Sequence, residues 1–139
     1  MRKMLAALVA VWVLPALPAA AQVQMIVNFA AGGPTDIVGR LMQNEMAAAL
    51  GQPVVVRNVT GAGGTIGTAE AARARPDGQT ILFSPVGPMA IQPHFRRGLS
   101  YTLENFAAIC QVADSPVVMM TPKTSGLRTV ADVVARARA

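Results

Sequence analysis

The chain has 139 residues, enough for one domain and too few for two full ones. Hydrophobic residues make up 53% and charged residues 14%, the reverse of the balance found in disordered chains. Aromatics are only 4%, which argues against a stacking platform for single-stranded nucleic acid, and part of the formal charge of +5 sits in a segment expected to be removed.

That segment is the amino terminus. Met1, Arg2 and Lys3 form a short basic stretch, and Met4 to Leu17 is a fourteen-residue apolar run. Ala19, Ala20 and Ala21 then match the small-residue pattern of a cleavage site. This order predicts a secretory signal peptide over residues 1–21, with Gln22 as the mature start. The competing reading is a membrane anchor, but the run is short for a span and Pro15 and Pro18 break its end. Without Arg2 and Lys3, ten basic residues face seven acids, a net +3 spread along the chain, so nucleic acid is not an expected partner.

Val23 to Phe29 reads as a buried strand, and Ala30 to Thr35 as a glycine-rich turn. Asp36 to Leu50 reads as a helix with Ile37, Val38, Leu41, Met42, Met46, Ala49 and Leu50 on its apolar face. Pro34 and Asp36 suit its first turn, and Gly51 suits its C-terminal cap. Pro53 to Val56 reads as a second strand, Gly61 to Thr65 as a second glycine turn, and Ile66 to Arg75 as a second helix ended by Pro76-Asp77-Gly78. Thr80 to Ser84 reads as a third strand, and Pro85 to Thr102 as loop. Two further strands are expected at Phe106 to Val112 and Val117 to Thr121. Thr129 to Asp132 resembles a capping box with Asp in place of Glu, before a helical stripe of Val130, Val133, Val134 and Ala137. Apolar strands alternating with helices predict an α/β fold with a parallel-dominated sheet flanked by helices.

The two glycine turns carry the chemistry. Each follows a strand and opens a helix, where the first N–H groups lack intrahelical partners and the macrodipole adds positive charge. Such a turn is an anion site, and in a parallel sheet such turns gather at the carboxyl ends of the strands. Neither turn holds the lysine of a P-loop. Gly61, Gly63, Gly64 and Gly67 fit a dinucleotide fingerprint only loosely, and Asp77 stands too close to serve as its acid. Turns without charged side chains suit a modest anion such as a carboxylate.

Catalysis has little to draw on. One histidine, His94, lies beside Arg96 and Arg97, and the one cysteine, Cys110, sits in an apolar stretch and is expected to be a small buried hydrophobe. There is no HExxH, CxxC or GxSxG motif and no paired carboxylate, so no catalytic residue, metal site or cofactor is expected. The residues alone leave two readings open, a carboxylate-binding receptor and a Rossmann-like nucleotide-binding enzyme lobe; a third, a truncated fragment without activity, enters with the resemblance that follows.

Four segments occur in order: Phe29-Ala-Ala-Gly-Gly-Pro-Thr-Asp36, Leu50-Gly-Gln-Pro-Val-Val-Val56 with Asn58, Gly61-Ala-Gly-Gly-Thr-Ile-Gly67, and Pro76-Asp-Gly-Gln-Thr-Ile-Leu82. Together they resemble the extracytoplasmic substrate-binding proteins of tripartite tricarboxylate transporters, the Bug family. The resemblance implies a type II periplasmic binding fold in which two lobes close on a small carboxylate, and a periplasmic, non-catalytic receptor working with membrane transporter subunits. It implies ligand contacts from Phe29, Ala30, Ala31, Gly32, Gly33, Thr35 and Asp36, from Gly61, Ala62, Gly63, Gly64 and Thr65, and from Ser84 and Gly87. It also implies a first lobe over 22–108, and a crossover strand with the start of a second lobe over 109–139, that lobe being largely missing. Pro85, Pro88 and Met89 depart from the small polar residues or His usual in the third segment, and Gln92 stands where Asn is more typical.

Overall fold

The computed structural model describes residues 22–139. The expected signal peptide lies outside the described residues. Three strands form one parallel sheet: β1 (Val23–Val27), β2 (Val54–Asn58) and β3 (Thr80–Phe83), in the order β2-β1-β3. Val23 pairs with Val54 and Val27 with Asn58 on one side of β1; Gln24 pairs with Thr80 and Val27 with Phe83 on the other. Two helices make the crossovers, α1 (Pro34–Leu50) and α2 (Thr65–Ala72).

The period of two along β1 sorts its side chains between the helices. Val23, Met25 and Val27 are buried with Val54, and Met46, Ala47, Val56, Ile81 and Phe83 pack against them. This is the α1 side, where Gly39 lets the helix settle onto Met25, Val27 and Phe83. Burying each such Val or Met contributes roughly 1.5–3 kcal/mol. The opposite side carries Ile26 and Asn28, both buried, and there α2 packs through Gly67 and Thr68. Helices on both faces explain why Met25, Ile26 and Val27 of β1 are consecutively apolar and buried rather than alternating.

Several elements differ from the expectation. β1 ends at Val27, one residue before the buried Asn28, whose side chain keeps to the Ile26 face and bonds Thr68 and Ser84. β2 runs on to Asn58, and Val55 is partly exposed because β2 is an edge strand of this sheet. In α1 the expected apolar face is only half used: Val38, Met42 and Met46 are partly buried, while Ile37 and Leu50 are exposed and Leu41 is 75% exposed. Three strands give α1 a narrow floor, narrower than its apolar stripe. The segment read as loop after β3 coils instead, through a π-helical turn (Gly87–Ile91) into a short helix α3 (Gln92–Phe95). Its prolines stand in first-turn positions, where a missing N–H costs nothing.

The described residues divide into two compact units between Ala107 and Ala108. In the second unit a 3-10 turn (Lys123–Ser125) precedes helix α4 (Val130–Arg138). Its capping box is formed as read: Thr129 Oγ1 accepts from the Asp132 N–H at 3.1 Å, and Asp132 Oδ2 accepts from the Thr129 N–H at 2.8 Å. The Arg128 N–H, then the Thr129 N–H, donate to the Asp132 carboxylate and hold its pKa below the ordinary value. The strands expected at 106–112 and 117–121 are not formed. A strand exists only through its ladder, and no partner strand meets them among the described residues. Val117 is 96% exposed, and Cys110, expected in a core, is exposed with its segment.

Candidate functional site

Because the strands are parallel, the segments leaving β1, β2 and β3 emerge at one edge of the sheet. The first begins at Asn28. It turns at Ala30, whose carbonyl accepts the Gly33 N–H at 3.2 Å, and enters α1 at Pro34. The first intrahelical bond runs from the Ile37 N–H to the Gly33 carbonyl at 2.9 Å. Pro34 has no N–H, and no side chain caps the helix, so the Thr35 and Asp36 N–H groups are left for an outside acceptor.

Asp36 itself points inward. It is 2% exposed, and three donors hold its carboxylate: Arg40 Nε at 2.9 Å, the Gly32 N–H at 2.8 Å and Asn58 Nδ2 at 2.8 Å. The Arg40 bond, then those from Gly32 and Asn58, press its pKa far below the usual carboxylate range. Asn58 Nδ2 also donates to the Phe29 carbonyl at 3.0 Å, and Arg40 Nη2 donates to Asn58 Oδ1 at 3.0 Å. One cluster therefore ties the first turn to both α1 and the end of β2.

The second turn runs through Gly61, Ala62, Gly63 and Gly64, all at positive φ. Ala62, at φ 49°, is the non-glycine residue with positive φ among the described residues. Such strain persists only where surrounding bonds impose it. Here the Gly64 N–H donates to the Gly61 carbonyl at 2.9 Å, and Thr65 Oγ1 donates to the Ala62 carbonyl at 3.0 Å. Gly64 marks the closest approach of the three segments. A Cβ there would lie 2.6 Å from Pro88 Cγ and 2.9 Å from Phe29 Cε2. Gly67, one turn into α2, is needed for the same reason, since a Cβ would strike the Val59 carbonyl and Asn28.

Behind the turns, Asn28 joins all three segments. Its Nδ2 donates to Thr68 Oγ1 on α2 at 2.9 Å and to Ser84 Oγ at 2.7 Å. Thr68 Oγ1 in turn donates to the Gly64 carbonyl at 2.8 Å, and Ser84 Oγ donates to the Pro85 carbonyl at 2.9 Å. Tyr101 is buried, and its hydroxyl donates to the Pro88 carbonyl at 2.6 Å, pinning the π-helical turn. Burial pushes the Tyr101 phenol up, so it stays a donor.

Of the expected contact residues, Ala30, Ala31, Gly32, Gly61, Ala62 and Gly63 are exposed at this edge. Phe29, Gly33 and Thr35 are half-buried beside them, and Gly64 and Thr65 are buried beneath. The two turns are brought together, with Ser84 linked to them through Asn28. Gly87 faces open space, with no atom within 4 Å of where its Cβ would stand. Arg40, Thr68 and Tyr101 carried no signal in the sequence, while Asn28 and Asn58 stood out only as part of a strand and of a motif. What could have marked them is polarity in an apolar frame: Asn28 follows the buried Val27, and Asn58 follows Arg57 after three valines. A shallow concavity of about 260 Å³ lies along α2, lined by Ile66, Arg73, Ser100 and Tyr101, and shares Thr65 with the expected contacts. His94 is exposed in the last turn of α3.

Residues 38–139 match the tripartite tricarboxylate transporter family receptor. The chain is 37% identical over 119 residues to protein BugT of Bordetella pertussis, covering 84% of this chain and 36% of BugT. Among solved structures, MatC from Rhodopseudomonas palustris with bound malate is 39% identical, with a TM-score of 0.57 over 63% of this chain and 30% of that one. A second R. palustris protein, solved with adipate, is 26% identical, with a TM-score of 0.59 over 84% of this chain and 40% of that one. The chain thus spans about a third of the length of the curated relatives it matches. With two glycine-turn helix starts on one edge of a parallel α/β sheet, and with the family match running over most of its length, the chain belongs to the tripartite tricarboxylate transporter family of receptors.

Proposed function

We propose that this protein is a periplasmic solute receptor that captures a small organic carboxylate and hands it to membrane transporter subunits, without catalysing a reaction. The observation that carries this reading is the pair of glycine turns at the starts of α1 and α2, both at the carboxyl edge of the sheet and both without a charged side chain directed outward. Backbone N–H groups at helix starts bind one or two negative charges without a lysine or arginine clamp. The malate-bound and adipate-bound relatives support a carboxylate as the anion.

In this reading Phe29, Ala30, Ala31, Gly32, Gly33 and Thr35 form one side of the ligand site. Gly61 to Thr65 form the other, with Ser84 and Gly87 on the third segment. Asp36 acts one step back: its carboxylate is already held by Arg40, Gly32 and Asn58, so it shapes the first turn rather than touching the ligand. The test is calorimetric titration of the full protein with malate, succinate and adipate, set against NAD and ATP. Binding of a carboxylate but no nucleotide is the expected result. Binding of a nucleotide alone overturns the proposal in favour of a nucleotide-binding lobe.

A further inference from the structure

Gln92 opens α3 on the third segment, and its side chain reaches across to the second glycine turn. A Cβ on Gly63 would lie 2.5 Å from Gln92 Nε2 and 3.5 Å from its Cδ, so the amide lies directly against that turn. The orientation of the amide is decided by chemistry. Arg96 Nε donates to Gln92 Oε1 at 2.8 Å. A guanidinium has donors only, so the oxygen end must face Arg96 and the NH2 end must face the turn. Among the described residues Nε2 has no protein acceptor, so two N–H donors stand free beside Gly63.

We propose that Gln92 is a ligand-contacting, specificity-determining residue whose side-chain amide donates to an anionic oxygen of the carboxylate held at the two glycine turns. This rests on the receptor reading above. Four features favour the role. A neutral amide adds a directed hydrogen bond without raising the local charge. The Arg96 bond holds the side chain in one rotamer before the ligand arrives, which lowers the ordering cost of binding. The same bond polarises the amide and strengthens its free N–H groups as donors. Gln92 is half-buried, so its amide is reachable by a ligand at the turn and partly screened from bulk water.

The test compares the wild type with Gln92→Glu and Gln92→Met in the full protein. The probes are the tightest-binding of malate, succinate and adipate, and the monoamide of that acid. Gln92→Glu keeps the shape and the Arg96 partner but turns the donors into a charged acceptor. It should weaken the dicarboxylate by roughly tenfold or more while sparing the monoamide, whose own N–H2 can donate to the new carboxylate. Gln92→Met removes the donors together with the oxygen that accepts from Arg96, and should weaken the dicarboxylate by roughly tenfold. Equal losses for both probes in Gln92→Glu would mean that Gln92 only supports the fold, and unchanged affinities in both variants would mean that the ligand lies elsewhere; either result overturns the proposal. If the wild type binds none of the acids, the receptor reading falls as well.

Discussion

Asp36 shows how a residue's place can be legible in the sequence while the direction of its side chain is not. An acid in the first turn of a helix is expected from the macrodipole, and the structure has it there. Its direction depends on Asn58 and Arg40, which lie 22 residues and one helical turn away. Because folding lowers its pKa, Asp36 adds stability that is present at neutral pH and is lost as pH falls below the ordinary carboxylate range. Asp36→Asn should therefore melt lower than the wild type at pH 7, and the gap should narrow in strong acid; melting curves across pH read this directly. Gly64 makes the companion case. Gly64→Ala forces an alanine to φ 88° and sets its methyl against Pro88 and Phe29, both rings with little room to yield. It should cost about 2 kcal/mol or more in chemical denaturation and weaken carboxylate binding as well.

Among elements, those fixed by local pattern were legible and those fixed by partners were not. The capping box of α4 is written in four consecutive residues, Thr129 to Asp132, and it forms as read. Thr129→Ala should destabilise that helix by about 1 kcal/mol, seen as faster amide hydrogen exchange at Asp132 and along the first turn. The stretches 106–112 and 117–121 have the composition of strands, yet composition cannot supply the neighbouring strand whose carbonyls and amides complete a ladder. The π-helical turn and α3 were hidden for another reason. Pro88 and Pro93 read as loop markers, but at the start of a helical turn a proline is tolerated and its fixed φ helps. Half of the apolar face expected for α1 likewise meets no floor within the three-stranded sheet.

At the scale of the whole molecule, ligand binding should appear as stability. A carboxylate at 100 times its dissociation constant should raise the unfolding free energy by about 2.7 kcal/mol, a shift that thermal melting resolves. If the proposed site is correct, binding draws on three segments that Asn28 joins from beneath, and the gain should shrink in any variant that frees one of them.

The sequence by itself determined the α/β class, the three parallel strands, both glycine turns and the family, because periodicity, turn chemistry and motif order are properties of neighbouring residues. Only the tertiary structure decided that Asp36 faces inward, that Asn28 links α2 to β3, and that Gln92 presents its amide to Gly63. Each of those depends on hydrogen bonds or contacts between residues far apart in the chain. The direction of a polar side chain is set by whichever donor or acceptor the fold brings beside it, and no local pattern records that.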